Sequence, residues 1–326
     1  MAEGGEDLHF DSEKFVVFPC DLPQWTSLSI QLATLVSVRN PNRLISKLQE
    51  IQEQVPMSMD VAGGLARGNS FKGLAKFLFE EATEEEQDIF FGKAFPCLIR
   101  WCLRIEHLRP ARGLQFSHQH EFGQTVISRQ LAASILACAF LSLFPYRKTK
   151  DNVVNVINFE GFFSHPTSGG QYTKLRCILH YYERLADIQD GPLGNLVFTR
   201  KGLEPDLLPE LDDWCSHCQL LCPLHIHPRG LILDAPPSVM QVHFSNRKYG
   251  GNTLGAGQTQ EEIRLCQSPE LLVGMLFVEA MAENEAVWVQ GHEIFSMCSG
   301  HAHCLKFAGD FRDPARPLAN GELPSL

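Results

Sequence analysis

Apolar residues recur at helical spacing through the first half of the chain. In the stretch 43–55 they fall at Leu44, Ile45, Leu48, Ile51 and Val55, one face of a 3.6-residue period. Asn40 and Pro41 in front of them suit an N-cap and a first helical position. The pattern predicts further helices over 71–81, 84–103 and 174–186. The last carries Leu175, Ile178, Leu179, Tyr182 and Leu185 along one side. Glu84-Glu85-Glu86 fits a solvated first turn, where carboxylates complement the helix dipole. The stretch 126–144 is apolar on most faces, which predicts one central buried helix ended by Pro145.

The texture changes after 190–194, a Gly/Pro-rich break. Short apolar runs at 195–199, 231–233, 239–244 and 285–289 predict strands. Ser268, Pro269 and Glu270 signal the start of one more helix through LLVGMLFVEAM. The pattern gives an α/β chain: a helical accessory domain over 1–190 and an α/β domain over 191–326. No internal repeat is present.

The length of 326 residues suits about two domains at roughly 100–200 residues each. A 44% hydrophobic content excludes a disordered or collagenous chain. Lys plus Arg is 28 and Asp plus Glu is 38, so the net charge is 28 − 38 = −10. An acidic surface argues against neutralising a phosphate backbone, so no direct DNA binding is expected. The longest apolar stretch, 131–144, is short of the roughly 20 residues a bilayer needs, and the acidic N-terminus lacks a signal-peptide pattern. Eleven cysteines, an odd number in a chain of this size, fit reduced thiols. The expectation is a nuclear or cytoplasmic protein, neither secreted nor membrane-bound.

The candidate chemistry lies in FSNRKYGGNTLGAGQTQEEIRL, residues 244–265. Gly250, Gly251, Gly255 and Gly257 fall within eight residues, directly after a predicted strand. Glycine at this density lets backbone approach a ligand closely and gather N–H groups around anionic or sugar oxygens. The spacing fits neither the dinucleotide fingerprint nor a Walker loop. Gln260-Glu261-Glu262 follows at once. Adjacent side chains point different ways, so the two carboxylates cannot flank one bond as an opposed pair. One glutamate that protonates a leaving oxygen and then activates water is enough for a glycosidase.

These residues resemble the signature of the poly(ADP-ribose) glycohydrolases, a glycine triplet followed after a spacer by Gln-Glu-Glu. SRQLAASILACAFLSLFP, INF, LVFTR and QVHFSNR resemble further landmarks of that family in the same order, from about residue 20 to 302. The resemblance implies a helical region packed on a macrodomain, an α/β/α three-layer domain that binds ADP-ribose. It implies hydrolysis of the ribose–ribose O-glycosidic bonds of poly(ADP-ribose), the polymer or ADP-ribosylated proteins as partner, and no metal or redox cofactor. Glu262 takes the acid/base position and Glu261 the ribose hydroxyls. Asn246 takes a ribose-binding position, and Gly250 and Gly251 shape the loop ahead of Gln260.

Several positions depart from the family pattern. Asn252 stands where the third glycine belongs, its side chain expected to crowd a sugar although asparagine tolerates positive φ. His243 replaces an acidic residue, exchanging an acceptor-only group for an imidazole. His301 replaces a tyrosine set against the ligand, and Leu233 and Asp234 fall where an acidic residue meets adenine. After His303 the similarity fades, so the macrodomain is expected to be incomplete, C-terminally truncated, and without the family's diphosphate loop. Two alternatives follow. One is a catalytically inactive ADP-ribose-binding or interaction protein; the other is a zinc-stabilised interaction module on Cys215, Cys218, Cys222 and His225, given their Cys-x2-Cys spacing.

Overall fold

The structure, a computed structural model, describes residues 14–55, 71–145, 154–164, 169–188, 193–204, 210–218, 220, 222–230, 232, 235, 239–300 and 304–311. Its helices are α1 (Trp25–Leu35), α2 (Pro41–Gln52), α3 (Lys72–Lys76), α4 (Glu84–Ile89), α5 (Phe95–Leu103), α6 (Ile105–Leu108), α7 (Arg129–Phe140), α8 (Glu160–Ser164), α9 (Gly169–Ala186), α10 (Leu211–Ser216) and α11 (Gln260–Gln267). Strands β1 (Gly123–Ser128), β2 (Asn195–Gly202) and β3 (Glu285–Gln290) form an antiparallel sheet in that order. A hairpin of β4 (Ser296–Ser299) and β5 (Lys306–Asp310) stands apart from it.

The helical pattern is largely realised. Asn40 caps α2 by accepting from the Arg43 amide at 3.1 Å. Thr83 caps α4 in the same way, and Glu86 returns a bond to the Thr83 amide. The element expected over 84–103 is interrupted by a π-helical turn at Phe90–Ala94. Pro96 has no N–H to offer the carbonyl four residues back, and the wider turn accommodates the missing bond.

Three expectations change. The single helix over 126–144 divides in two: β-branched Thr125, Val126 and Ile127 pair with β2, Ser128 caps the Leu131 amide, and α7 begins at Arg129. It ends at Phe140, ahead of Pro145, where Ser142 turns the chain at φ 55°. Ser268 does not cap a new helix either. Its amide ends α11 on the Arg264 carbonyl, and Pro269–Leu276 winds as a 3-10 helix. The stretch 239–244 joins no sheet and is largely exposed. The edge of β3 that pairs with no other described strand lines the same cavity as this stretch.

One core runs through the molecule. Helix α7 is buried along its whole length against α5, and Phe140, Phe159, Phe162 and Phe163 cluster beside it. Phe198 of β2, Tyr249 and Phe277 extend the same core into the second half. The sheet also spans the chain, since β1 lies before residue 190 and β2 after it.

A buried ion-pair network ties these parts together. Arg129, at the start of α7, donates through Nε to both carboxylate oxygens of Glu270 (2.8 and 2.9 Å) and through Nη2 to Glu293 (2.9 Å). Its Nη1 meets the Leu193 carbonyl at 3.1 Å. Arg184 of α9 holds the other oxygen of Glu293 at 2.6 Å. Glu270 is fully enclosed and Arg129 nearly so. Burial alone would disfavour the guanidinium charge, but Glu270 and Glu293 outweigh it and raise the Arg129 pKa. Arg129→Met should cost about 3–5 kcal/mol, because Glu270 would be left buried without its cation and Glu293 would keep only Arg184. Arg129→Lys should not restore the loss, since an ammonium cannot supply the planar fork. Urea unfolding midpoints of the two variants check both outcomes.

Candidate active site

The glycine-rich segment forms a compact loop over the start of α11. Gly250 and Gly251 adopt φ of 83° and 50°. A side chain on Gly250 would strike Met275, and one on Gly251 would strike Asn246. Asn252 does not use the positive φ that asparagine tolerates; among the described residues only His120 and Ser142 do so without being glycine. Its side chain lies against Gly255, while its carbonyl accepts from the amides of Gly255 and Gly257.

Two side chains from the helical half hold this loop. Lys174 of α9, fully buried, donates from Nζ to the carbonyls of Thr253 and Gly255, each at 2.9 Å. Burial lowers its pKa, against the opposing influence of Cys266 and Glu262. Asn155 donates from Nδ2 to the carbonyls of Tyr249 (3.1 Å) and Gly251 (2.7 Å). Sequence reasoning named neither residue in the site. A lysine within an apolar helix face was the available signal, and only its contacts reveal its use.

The two carboxylates take different positions, as adjacency requires. Glu261 is 6% exposed and lies on the wall of a cavity of about 1020 Å³. Its Oε2 accepts from the Asn246 amide at 2.8 Å and from Asn246 Nδ2 at 3.0 Å. Burial raises its pKa, while the bonds from Asn246 pull it down. Glu262 is 2% exposed and folds beneath the loop. Its oxygens accept from the Asn252 amide (3.0 Å) and the Thr259 amide (2.7 Å). Gly257 leaves room for it, since a Cβ there would overlap the carboxylate. Gln260, the first residue of α11, points to solvent.

His243, Arg264, Trp288 and Val289 also line the cavity. Trp288 and Arg264 were not anticipated as cavity residues. Arg264 bonds Gln241 through Nη2. Burial, and then the Arg264 charge, push the His243 pKa down to about 4. The volume matches the upper end of small-molecule sites, which run to about 1,000 Å³. His301, Leu233 and Asp234 lie outside the described residues. Cys215, Cys218, Cys222 and His225 are exposed, and no three His, Cys, Asp or Glu side chains among the described residues come together as a metal-binding group.

A helical half supporting a glycine loop, with adjacent glutamates at a helix start beside a cavity, defines a two-part α/β protein with a candidate ligand site. Comparison with known proteins sharpens this. Residues 82–200 match the helical domain of poly(ADP-ribose) glycohydrolase, and residues 211–322 match its Macro domain fold. The chain is 34% identical over 254 residues to poly(ADP-ribose) glycohydrolase 1 of Arabidopsis thaliana, covering 73% of this chain and 45% of that protein. It is 33% identical over 266 residues to the probable poly(ADP-ribose) glycohydrolase 2 of the same plant, covering 75% and 51%. Poly(ADP-ribose) glycohydrolase 1 of Caenorhabditis elegans is 31% identical over 135 residues, 41% of this chain and 17% of the relative. The chain belongs to the poly(ADP-ribose) glycohydrolase family, and it spans about half the length of the plant relatives it matches.

Two outcomes test the geometry. By NMR titration, His243 should stay neutral at pH 6 and protonate only near pH 4. The unfolded chain binds that proton from about pH 6.5 downward, so stability should fall as pH drops from 6.5 toward 4. His243→Gln should remove that part of the dependence. Separately, Gly257→Ala should destabilise by about 1–3 kcal/mol in chemical unfolding, because its methyl group displaces the Glu262 carboxylate.

Proposed function

We propose that the chain recognises ADP-ribose units of poly(ADP-ribose) and hydrolyses the ribose–ribose O-glycosidic bond. The observation that carries this reading is the pair Glu261–Glu262, fixed under a glycine loop beside a cavity of about 1020 Å³. Glu261 and Asn246 hold ribose hydroxyls at the cavity wall. Glu262 is the acid/base. It gives its proton to the leaving ribose oxygen as the bond to the anomeric carbon breaks. It then takes a proton from the water that attacks that carbon. Both of its oxygens lie on backbone amides, so one of those bonds must open before it meets the substrate.

A second reading, binding without hydrolysis, is favoured by that same enclosure of Glu262 and by His243 on the cavity wall in place of an acid. Incubation of the purified chain with the polymer separates the two. The hydrolase releases ADP-ribose, and Glu262→Gln should lower the rate by roughly 10²–10⁴-fold while calorimetric ADP-ribose binding persists. Binding by a folded wild-type chain with no release would select the second reading, and neither binding nor release would remove both.

A further inference from the structure

Two thiols behind the loop form a pair that the proposed reaction does not use. Cys177 lies on α9, one turn beyond Lys174, and Cys298 lies on β4. Their sulfurs are 3.6 Å apart. Cys177 is fully buried, whereas Cys298 is partly exposed. The hydrogen bond between them, with burial second, raises the Cys177 pKa; the same bond lowers that of Cys298. The outer sulfur is the one that solvent reaches, and the inner one waits beside it. That is the arrangement of an attacking thiol with a resolving partner.

The molecule carries its own comparison. Cys102 of α5 and Cys138 of α7 also stand 3.6 Å apart, but both are fully enclosed between two core helices. Proximity is the same in the two pairs, and solvent access is not.

We propose that Cys177 and Cys298 form a hydroperoxide-responsive site that closes into a reversible disulfide. The Cys298 thiolate attacks one peroxide oxygen, the O–O bond breaks, and hydroxide leaves to become water, giving a sulfenic acid. The Cys177 sulfur then attacks that sulfur and loses its proton. The S–O bond breaks, and the departing hydroxide takes the proton as a second water. Two thiols and one hydrogen peroxide become one disulfide and two waters. The sulfurs must close from 3.6 Å to about 2.05 Å.

The bond would join two elements that bear on the loop. Helix α9 carries Lys174, which holds the Thr253 and Gly255 carbonyls. The chain entering β4 carries Phe295, whose amide bonds the Gln267 carbonyl at the end of α11. Oxidation would thus tie the loop's anchor to the neighbour of the glutamate-bearing helix.

The test uses the full chain with the exposed Cys215, Cys218, Cys222 and Cys304 changed to serine. After reduction it is treated with one equivalent of hydrogen peroxide, alkylated, and mapped by peptide mass. The expected result is a Cys177–Cys298 linked peptide, lighter by two hydrogens than the two thiol peptides and restored by dithiothreitol. It should form more than about tenfold faster than any Cys102–Cys138 link, since access governs attack. Cys298→Ser should abolish the link, and Cys177→Ala should leave a dimedone-reactive sulfenic acid on Cys298. Both sulfurs remaining alkylatable after unfolding, or Cys298 passing to sulfinic acid with Cys177 free, would overturn the proposal. So would a Cys102–Cys138 link forming as fast. If the serine background does not fold, mapping the wild-type chain reads the same link directly.

Discussion

The hold of Arg129 on Glu270, one Nε–H shared between both carboxylate oxygens, and on Glu293 through Nη2 is the constraint on which the arrangement rests. Four separate stretches converge there: the start of α7, the 3-10 turn after α11, the approach to β4, and, through Arg184, helix α9. A charge network enclosed this deeply is stable only when every member is paired, so it fixes how those elements sit. A hydrophobic contact of the same area would tolerate sliding; a guanidinium whose nitrogens are divided between two carboxylates does not.

That fixed frame explains how the helical half takes part in the site. Lys174 and Asn155 each bridge two loop carbonyls, and neither touches the two glutamates by a direct hydrogen bond in the structure. They satisfy main-chain groups that a tight glycine turn leaves without regular partners. The glutamates in turn accept the amides of the loop and of Asn246. Loop and carboxylates therefore form one hydrogen-bonded unit, positioned from α9 on one side and α11 on the other.

The opposite side of the cavity is open. Val239, Met240 and Val242 are exposed there, and the outer edge of β3, which pairs with no other described strand, lines the same cavity. Alternation at 239–244 expresses a strand tendency, but a strand forms only where a neighbour accepts its backbone bonds. The same six residues thus carry strand character in sequence and none in the fold.

Local chemistry decided what the sequence determined by itself. Helix periods, the cap at Asn40, the acidic first turn at Glu84, the β2 and β3 runs, and the clustering of glycines ahead of Glu261 and Glu262 depend on residues within a turn or two of one another. All were legible for that reason. The division of 126–144 into strand and helix depended on a partner strand some 70 positions away. Which glutamate lines the cavity and which folds beneath the loop depended on Asn246, Asn252 and Thr259 meeting them in space. The use of Lys174 as a loop anchor, and the meeting of Arg129 with Glu270 across 141 positions, are long-range pairings of buried polar groups. No periodicity encodes them, because burial, which only the folded chain creates, is what compels those groups to find each other.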